Sequence, residues 1–256
     1  MFVCGFLVFC LIARVSCKPI VNGVEIDSDE ILEYSYMSSL QHPKAIALRG
    51  GFKHFCGGAR IHPNWILTAA HCLDGKNSDG VVVVIGEKVV DSQNDTRYNV
   101  TQIQSNGYNK YTLRNDIALI KVASDHLDVK MLPLYEGEIP YGQKCKIIGY
   151  GATEYTGKTP NPLSVAYVNL ITNDECTDIM GRIMGPRMEN VCALSKGAMD
   201  TCQGDSGGPL ICEKDGKEFV VGITSRGSGC GIPGVPSLYT LVEPFKGWIN
   251  ETVQRL

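Results

Sequence analysis

Eight of the eleven cysteines lie between Cys56 and Cys230, and their number constrains the fold more than any other feature of the chain. The other three, Cys4, Cys10 and Cys17, fall in or beside an unbroken apolar run, Phe2 to Ala13, that ends in Arg14-Val15-Ser16-Cys17 with small residues where a signal peptidase cuts. Twelve residues rise about 18 Å as a helix, too short for a hydrocarbon core of about 30 Å. Residues 1–17 are therefore expected to be a secretory signal, although no positive charge precedes the run. Its removal leaves Cys56, Cys72, Cys145, Cys176, Cys192, Cys202, Cys212 and Cys230. An even number of cysteines in an exported chain implies a disulfide framework, for which eight allow on the order of a hundred pairings. Metal binding is the competing use, and no Cys-x-x-Cys or His-x-x-x-His spacing supports it. Asn94-Asp95-Thr96, Asn99-Val100-Thr101 and Asn250-Glu251-Thr252 are N-glycosylation sequons, in keeping with export.

Charge narrows the partners. The chain carries 24 Lys and Arg against 27 Asp and Glu, a formal charge of −3, which becomes −5 from Ile20 onward once Arg14 and Lys18 are gone. No basic field is available to grip a phosphate backbone, so nucleic acid is not expected as a partner. No second run is long and apolar enough to span a membrane, so the mature chain is expected to be soluble. Trp65 to Ala70, Val81 to Ile85, Ile117 to Val122, Lys146 to Ile148, Phe219 to Ile223 and Leu238 to Val242 are short apolar runs rich in Val and Ile, with turn residues nearby. This pattern predicts an all-β fold, barrels or a sandwich. One helix is expected, at the end, where Pro244 suits a first turn and Phe245, Trp248, Ile249, Val253 and Leu256 recur at helical spacing. Leu132-Pro133-Leu134 is the expected junction between two halves.

Three local patterns carry chemistry. Thr68-Ala69-Ala70-His71-Cys72 ends an apolar strand with a histidine, Asn115-Asp116-Ile117-Ala118-Leu119 opens another with an aspartate, and Gly204-Asp205-Ser206-Gly207-Gly208-Pro209 sets a serine in a glycine-rich turn. Each alone has a structural explanation. Together they make chemical sense, because a serine hydroxyl is a poor nucleophile until a base with a pKa near 7 takes its proton. The imidazole in turn needs a carboxylate to fix its tautomer and stabilise its charged form. Glycines around the serine let backbone N–H groups face the oxyanion that forms on attack.

These motifs, in the order His, Asp, Ser, resemble the trypsin/chymotrypsin family of secreted serine endopeptidases, from Ile20-Val21-Asn22-Gly23 to the terminal helix. The resemblance implies two six-stranded antiparallel β-barrels of the chymotrypsin-like type with a C-terminal helix, over residues 20–133 and 134–256. It implies His71 as general base and acid, Asp116 as its orienting carboxylate, Ser206 as nucleophile, and the N–H groups of Gly204 and Ser206 as oxyanion hole. It selects the disulfides Cys56–Cys72, Cys145–Cys212, Cys176–Cys192 and Cys202–Cys230. Protein or peptide substrates are implied, acted on by a monomer that needs no cofactor or metal.

Asp200, six residues before Ser206, matches the family position at the base of the specificity pocket, which favours cleavage after Arg or Lys because a buried carboxylate penalises an apolar occupant. Ser225-Arg226-Gly227 matches the substrate-binding wall, but Arg226 stands where the family usually has Trp. Ser237 stands where a wall glycine is usual and could narrow the pocket, although Pro233-Gly234-Val235 offers a competing register. Chymotrypsin-like or elastase-like specificity therefore stays open, as does a silent homologue acting as a binding module, although all three catalytic residue types are present. The stretch His42 to His54, with Lys44, Arg49 and Lys53, is a candidate site for an acidic partner. Glu87, Asp91 and Asp95 sit where some relatives bind calcium, but the ligand pattern is incomplete. Residues 18–19 are expected to be an activation dipeptide whose loss frees the amine of Ile20 to pair with Asp205.

Overall fold

The structure is a computed structural model that describes residues 20–255, apart from 44–50, 93, 125–127, 160–161, 196 and 198. The expected signal over 1–17, Lys18-Pro19, Lys44, Arg49 and Leu256 lie outside the described residues.

Six strands form the first barrel: β2 (Met37–His42), β3 (Lys53–His62), β4 (Trp65–Thr68), β5 (Val82–Ile85), β6 (Tyr98–Ser105) and β7 (Ala118–Val122). They run in the order β2-β3-β4-β7-β6-β5 and close back on β2. Every pairing is antiparallel, and closure leaves no edge to template aggregation. The β-branched run Val82 to Ile85 is buried throughout, and its Val83, Val84 and Ile85 join Leu40, Trp65, Ile66, Leu67 and Ile120 in one apolar core. β6 was not foreseen because its polar residues face water in partial alternation, which leaves few apolar positions to mark it.

The second barrel is built from β8 (Lys144–Gly149), β9 (Ser164–Ile171), β10 (Asn190–Leu194), β11 (Pro209–Lys214), β12 (Lys217–Arg226) and β13 (Ser237–Leu241). Its order is β9-β10-β13-β12-β11-β8, closed by the β8–β9 ladder, around Ile147, Leu170, Val191, Leu210 and Tyr239. β1 (Val24–Glu25), first in the chain, adds to β9 of this barrel. Leu132 donates its N–H to Arg60 in the first barrel and Tyr135 to Val220 in the second, so the chain crosses between them there.

The terminal helix α2 (Lys246–Arg255) follows a 3-10 turn, Glu243–Phe245, with Pro244 in its first turn. Phe245 and Ile249 are buried against the core and Trp248 and Val253 partly so. The expectation of one helix needs correction: α1 (Asn173–Met184) is a second. Its sequence displays both helix signals, apolar residues at helical spacing (Cys176, Ile179, Met180, Ile183 and Met184) and a reciprocal capping box of Thr172 and Glu175, although the helix is broken at Gly181. Among the described residues no helix is long and apolar enough to cross a membrane.

Candidate active site

Strand register brings the first two residues together. β4 and β7 pair with Thr68 opposite Ala118, so the segments just beyond those ends, carrying His71 and Asp116, meet at the same rim of the barrel. His71 lies in a 3-10 turn, Ala70–Leu73, that directly continues β4. Asp116 Oδ1 accepts the backbone N–H of His71 at 2.8 Å, and Oδ2 lies 2.8 Å from His71 Nδ1. Asp116 is 1% exposed, whereas the His71 ring is partly open to solvent. The carboxylate thus fixes both the main chain and the ring of His71 and leaves Nε2 to face outward.

The serine arrives from the second barrel. The β11–β12 ladder ends at Pro209 opposite Ile223, and beyond it Thr224 exchanges backbone hydrogen bonds with Gly207 and Gly208. This sets Ser206 and Ser225 at one end of the hairpin. Ser225 Oγ donates to Asp116 Oδ2 at 2.6 Å, and Gly57 of β3 donates its N–H to the Ser206 carbonyl at 2.8 Å. Two hydrogen bonds thus lock the barrels together across the site. Cys72, bridged to Cys56, places its sulfur 3.7 Å from His71 Nε2 and 3.7 Å from the Ser206 carbonyl oxygen. Gly207 has φ +81°, and a Cβ there would fall 2.2 Å from Thr68 Oγ1, so the turn that presents Ser206 requires glycine. Among the described residues neither the Gly204 nor the Ser206 N–H donates to a protein acceptor.

Asp205 is buried beneath the turn, where it accepts the N–H groups of Gly151 and Cys202 at 2.8 and 2.9 Å. Burial nevertheless pushes its carboxyl up to about 7. A Cβ on Gly151 would lie 2.4 Å from this carboxyl group, so glycine makes the seat possible. Ile20 is fully buried, held by paired backbone hydrogen bonds between Val21 and Asp200. The pattern Gly149-Tyr150-Gly151, which signals close backbone approach, could have pointed to this seat.

His54 departs from its expected place on a surface loop. It is 2% exposed, with Nδ1 2.8 Å from Ser39 Oγ and Nε2 2.9 Å from the Gly204 carbonyl, and Tyr150 packs edge-on against it. Burial lowers its pKa to about 4, so it is neutral at neutral pH.

A cavity of about 250 Å³ opens beside Ser206, lined among others by Thr201, Gln203, Ser225, Arg226, Gly227 and Ser237. Asp200 stands behind this lining. Its Oδ1 accepts Ser237 Oγ at 2.7 Å and the Thr201 N–H at 2.8 Å, and Oδ2 accepts the Gly231 N–H at 3.1 Å. Burial raises the carboxyl pKa against these hydrogen bonds. Ser237 thus both lines the cavity and touches Asp200, whereas Gly234 is not among the lining residues. A larger depression of about 650 Å³, lined by Pro133, Lys214 and Lys246, contains none of these groups.

The four disulfides are Cys56–Cys72, Cys145–Cys212, Cys176–Cys192 and Cys202–Cys230. Cys56, His71 and Cys72 bring ligand-type atoms together, but both sulfurs are spent on a disulfide. In the segment of Glu87, Asp91 and Asp95 the Arg97 guanidinium is bonded to part of the chain. Arg97 donates to the carbonyls of Ser92 and Asp95 at 2.7 and 3.0 Å, to Asp95 Oδ2 at 3.5 Å and to Gln41 at 3.0 Å. The sequon residues Asn94, Asn99 and Asn250 are exposed.

The family model described as Trypsin matches residues 24–249. A trypsin of Xenopus laevis is 31% identical over 245 residues, covering 93% of this chain and 96% of that protein. Serine protease 56 of Mus musculus is 33% identical over 218 residues, covering 82% of this chain; the match spans 36% of that relative's own length.

Proposed function

Because the chain belongs to the trypsin family of serine proteases, we propose that it is an endopeptidase in which Ser206 attacks the scissile carbonyl and His71 takes its proton. The observation that carries this reading is the buried Asp116 carboxylate, which accepts from His71 twice and from Ser225 once. With Nδ1–H held on Asp116, Nε2 is the lone pair free to act as base, and the resulting imidazolium lies against a carboxylate that water cannot reach. The free N–H groups of Gly204 and Ser206 receive the oxyanion. His71 then protonates the leaving amine, and a water repeats the sequence to release the acyl group from Ser206. A fluorophosphonate probe, which reacts with an activated serine, tests this directly. Labelling at Ser206 that disappears in His71→Ala supports the mechanism; an unlabelled protein is a silent homologue.

Cleavage follows Arg or Lys, a reading supported by the buried Asp200 carboxylate behind the Thr201 and Ser237 lining of the cavity, which favours a long cation over an apolar occupant. One observation favours a second reading: Ser237 already donates to Asp200, which shortens the cavity and partly neutralises its base. Chymotrypsin-like or elastase-like specificity is that alternative, and profiling on a peptide library separates the two. The chain is exported through residues 1–17, loses Lys18-Pro19 and carries glycans at its sequons. It works as a monomer with barrels over 20–133 and 134–256, and the stretch from His42 to Lys53, without the buried His54, receives an acidic partner. The freed amine of Ile20 pairs with Asp205, a buried carboxyl that accepts the Gly151 and Cys202 N–H groups and has no cation partner among the described residues.

A further inference from the structure

The wall beyond Ser225 holds positive charge that the proposed chemistry does not use. Arg226 lines the same cavity as Ser206. Its Nη2 makes one long hydrogen bond, 3.5 Å to the Gly185 carbonyl, and its buried Nη1 has no acceptor. A guanidinium carries five N–H donors, so this one is far from satisfied. Gly185 opens the loop after α1. On that loop Arg187 donates to the Thr112 carbonyl at 2.6 Å, and Glu189 accepts from Arg114 at 3.3 Å. These bonds draw three segments, the end of β12, residues 185–189 and residues 112–114, into one wall beside Asp116.

The charges on that wall do not balance. Among the described residues, Arg114, Arg187 and Arg226 face one available carboxylate, Glu189, because Asp116 is committed to His71 and Ser225. The excess lies on a chain that is acidic as a whole, so it is a local feature. Burial and the neighbouring charge of Arg187 both disfavour the cationic form of Arg226, as expected of a guanidinium short of an anion. The backbone beside it is also receptive. Past Thr224, β12 is paired to β13 on one side and no longer to β11 on the other, which leaves an edge where a peptide can add as an antiparallel strand.

We infer that this wall is a subsite for an acidic side chain in the acyl portion of the substrate, so that preferred substrates carry Asp or Glu shortly before the residue in the cavity. The inference rests on the endopeptidase reading for the direction of the bound peptide. Its test uses binding, so that it does not depend on turnover. Ser206→Ala protein is titrated by fluorescence anisotropy with peptides that have Arg at the cleaved position and differ in Glu against Gln one, two or three residues earlier. The Glu peptide should bind about tenfold more tightly at one of these positions in low salt, with the advantage shrinking in high salt. Adding Arg226→Gln should reduce the advantage to about twofold or less. Arg187→Gln should also reduce it, and serves as the second variant should Arg226→Gln fold poorly. Equal affinity for Glu and Gln peptides at every position, or no measurable binding of either, overturns the inference, as does a preference that survives both substitutions. Acid-selective binding by a wild-type protein that hydrolyses nothing would instead overturn the protease reading and leave the subsite standing.

Discussion

Ser237 decides how much of the Asp200 charge a substrate can feel. Its hydroxyl is a donor to Oδ1 and a physical cap on the cavity, so Ser237→Gly removes both at once. Cleavage after Arg and Lys should then gain about tenfold in kcat/KM, measured with matched fluorogenic peptides. A gain for Phe or Leu substrates instead would mean that Asp200 does not set the preference. Asp200→Ser should lower kcat/KM for Arg and Lys by about a hundredfold or more while sparing apolar substrates. At the nucleophile, Ser206→Ala and His71→Ala should each cost several orders of magnitude, roughly 10⁴ or more in kcat, with unchanged circular dichroism. Near-normal turnover by purified Ser206→Ala would sink the mechanism. The identities of these residues were legible because chemistry restricts them, as was the bulk Ser237 adds to the wall; the hydrogen bond from Ser237 to Asp200 was not, since it depends on where a hydroxyl far along the chain comes to rest.

Among the elements, the segment from Glu87 to Arg97 is gathered around one guanidinium. Its acidic residues form an incomplete calcium pattern, and Arg97 donates to the carbonyls of Ser92 and Asp95. Arg97 and Asp95 are both largely buried, so Arg97→Ala should destabilise the protein by about 3 kcal/mol in denaturant titration, as removal of one member of a buried pair does. Thermal unfolding of the wild type should be indifferent to calcium or chelator, and a calcium-dependent rise in Tm would show that the guanidinium yields to the ion. Strands made of β-branched runs were legible for the same reason that they are stable, because both faces are buried. Helix α1 was legible too, in a capping box followed by Cys176, Ile179, Met180, Ile183 and Met184 at helical spacing; what the sequence did not show is that the Cys176–Cys192 bridge pins it to β10.

On the scale of the whole molecule, the first residues of the described chain are tied to the second barrel, and the proposed activation turns on charge balance beneath the Ser206 turn. Asp205 has a folded pKa of about 7, above its ordinary value near 4. A raised carboxyl stabilises the fold below its unfolded pKa, and that contribution is lost as pH rises through the folded value. Protein retaining Lys18-Pro19 should therefore lose up to about 4 kcal/mol between pH 4 and 7 relative to protein beginning at Ile20, whose amine supplies a cation. The pairing should raise the amine's own folded pKa, so the advantage of the Ile20 form fades at alkaline pH. His54, with its pKa lowered to about 4, gives the opposite slope, gaining as pH rises toward 6.5, but does so in both forms and cancels in the comparison. Identical pH profiles for the two forms, measured by thermal unfolding, would rule out the pairing.

The sequence by itself determined the chemistry available: a histidine, an aspartate and a serine in distinctive local settings, an even set of cysteines, and strands marked by β-branched runs. These are local facts, set by residue type and by neighbours a few positions away. Tertiary structure alone decided which distant groups meet. Antiparallel register put Asp116 against His71, a hairpin end put Ser225 on the same carboxylate, and barrel closure turned His54 inward onto Gly204. It also gathered Arg114, Arg187 and Arg226 from three segments into one wall. Burial and electrostatics depend on distances through space, and a chain's order along the backbone fixes those only after the barrels have closed.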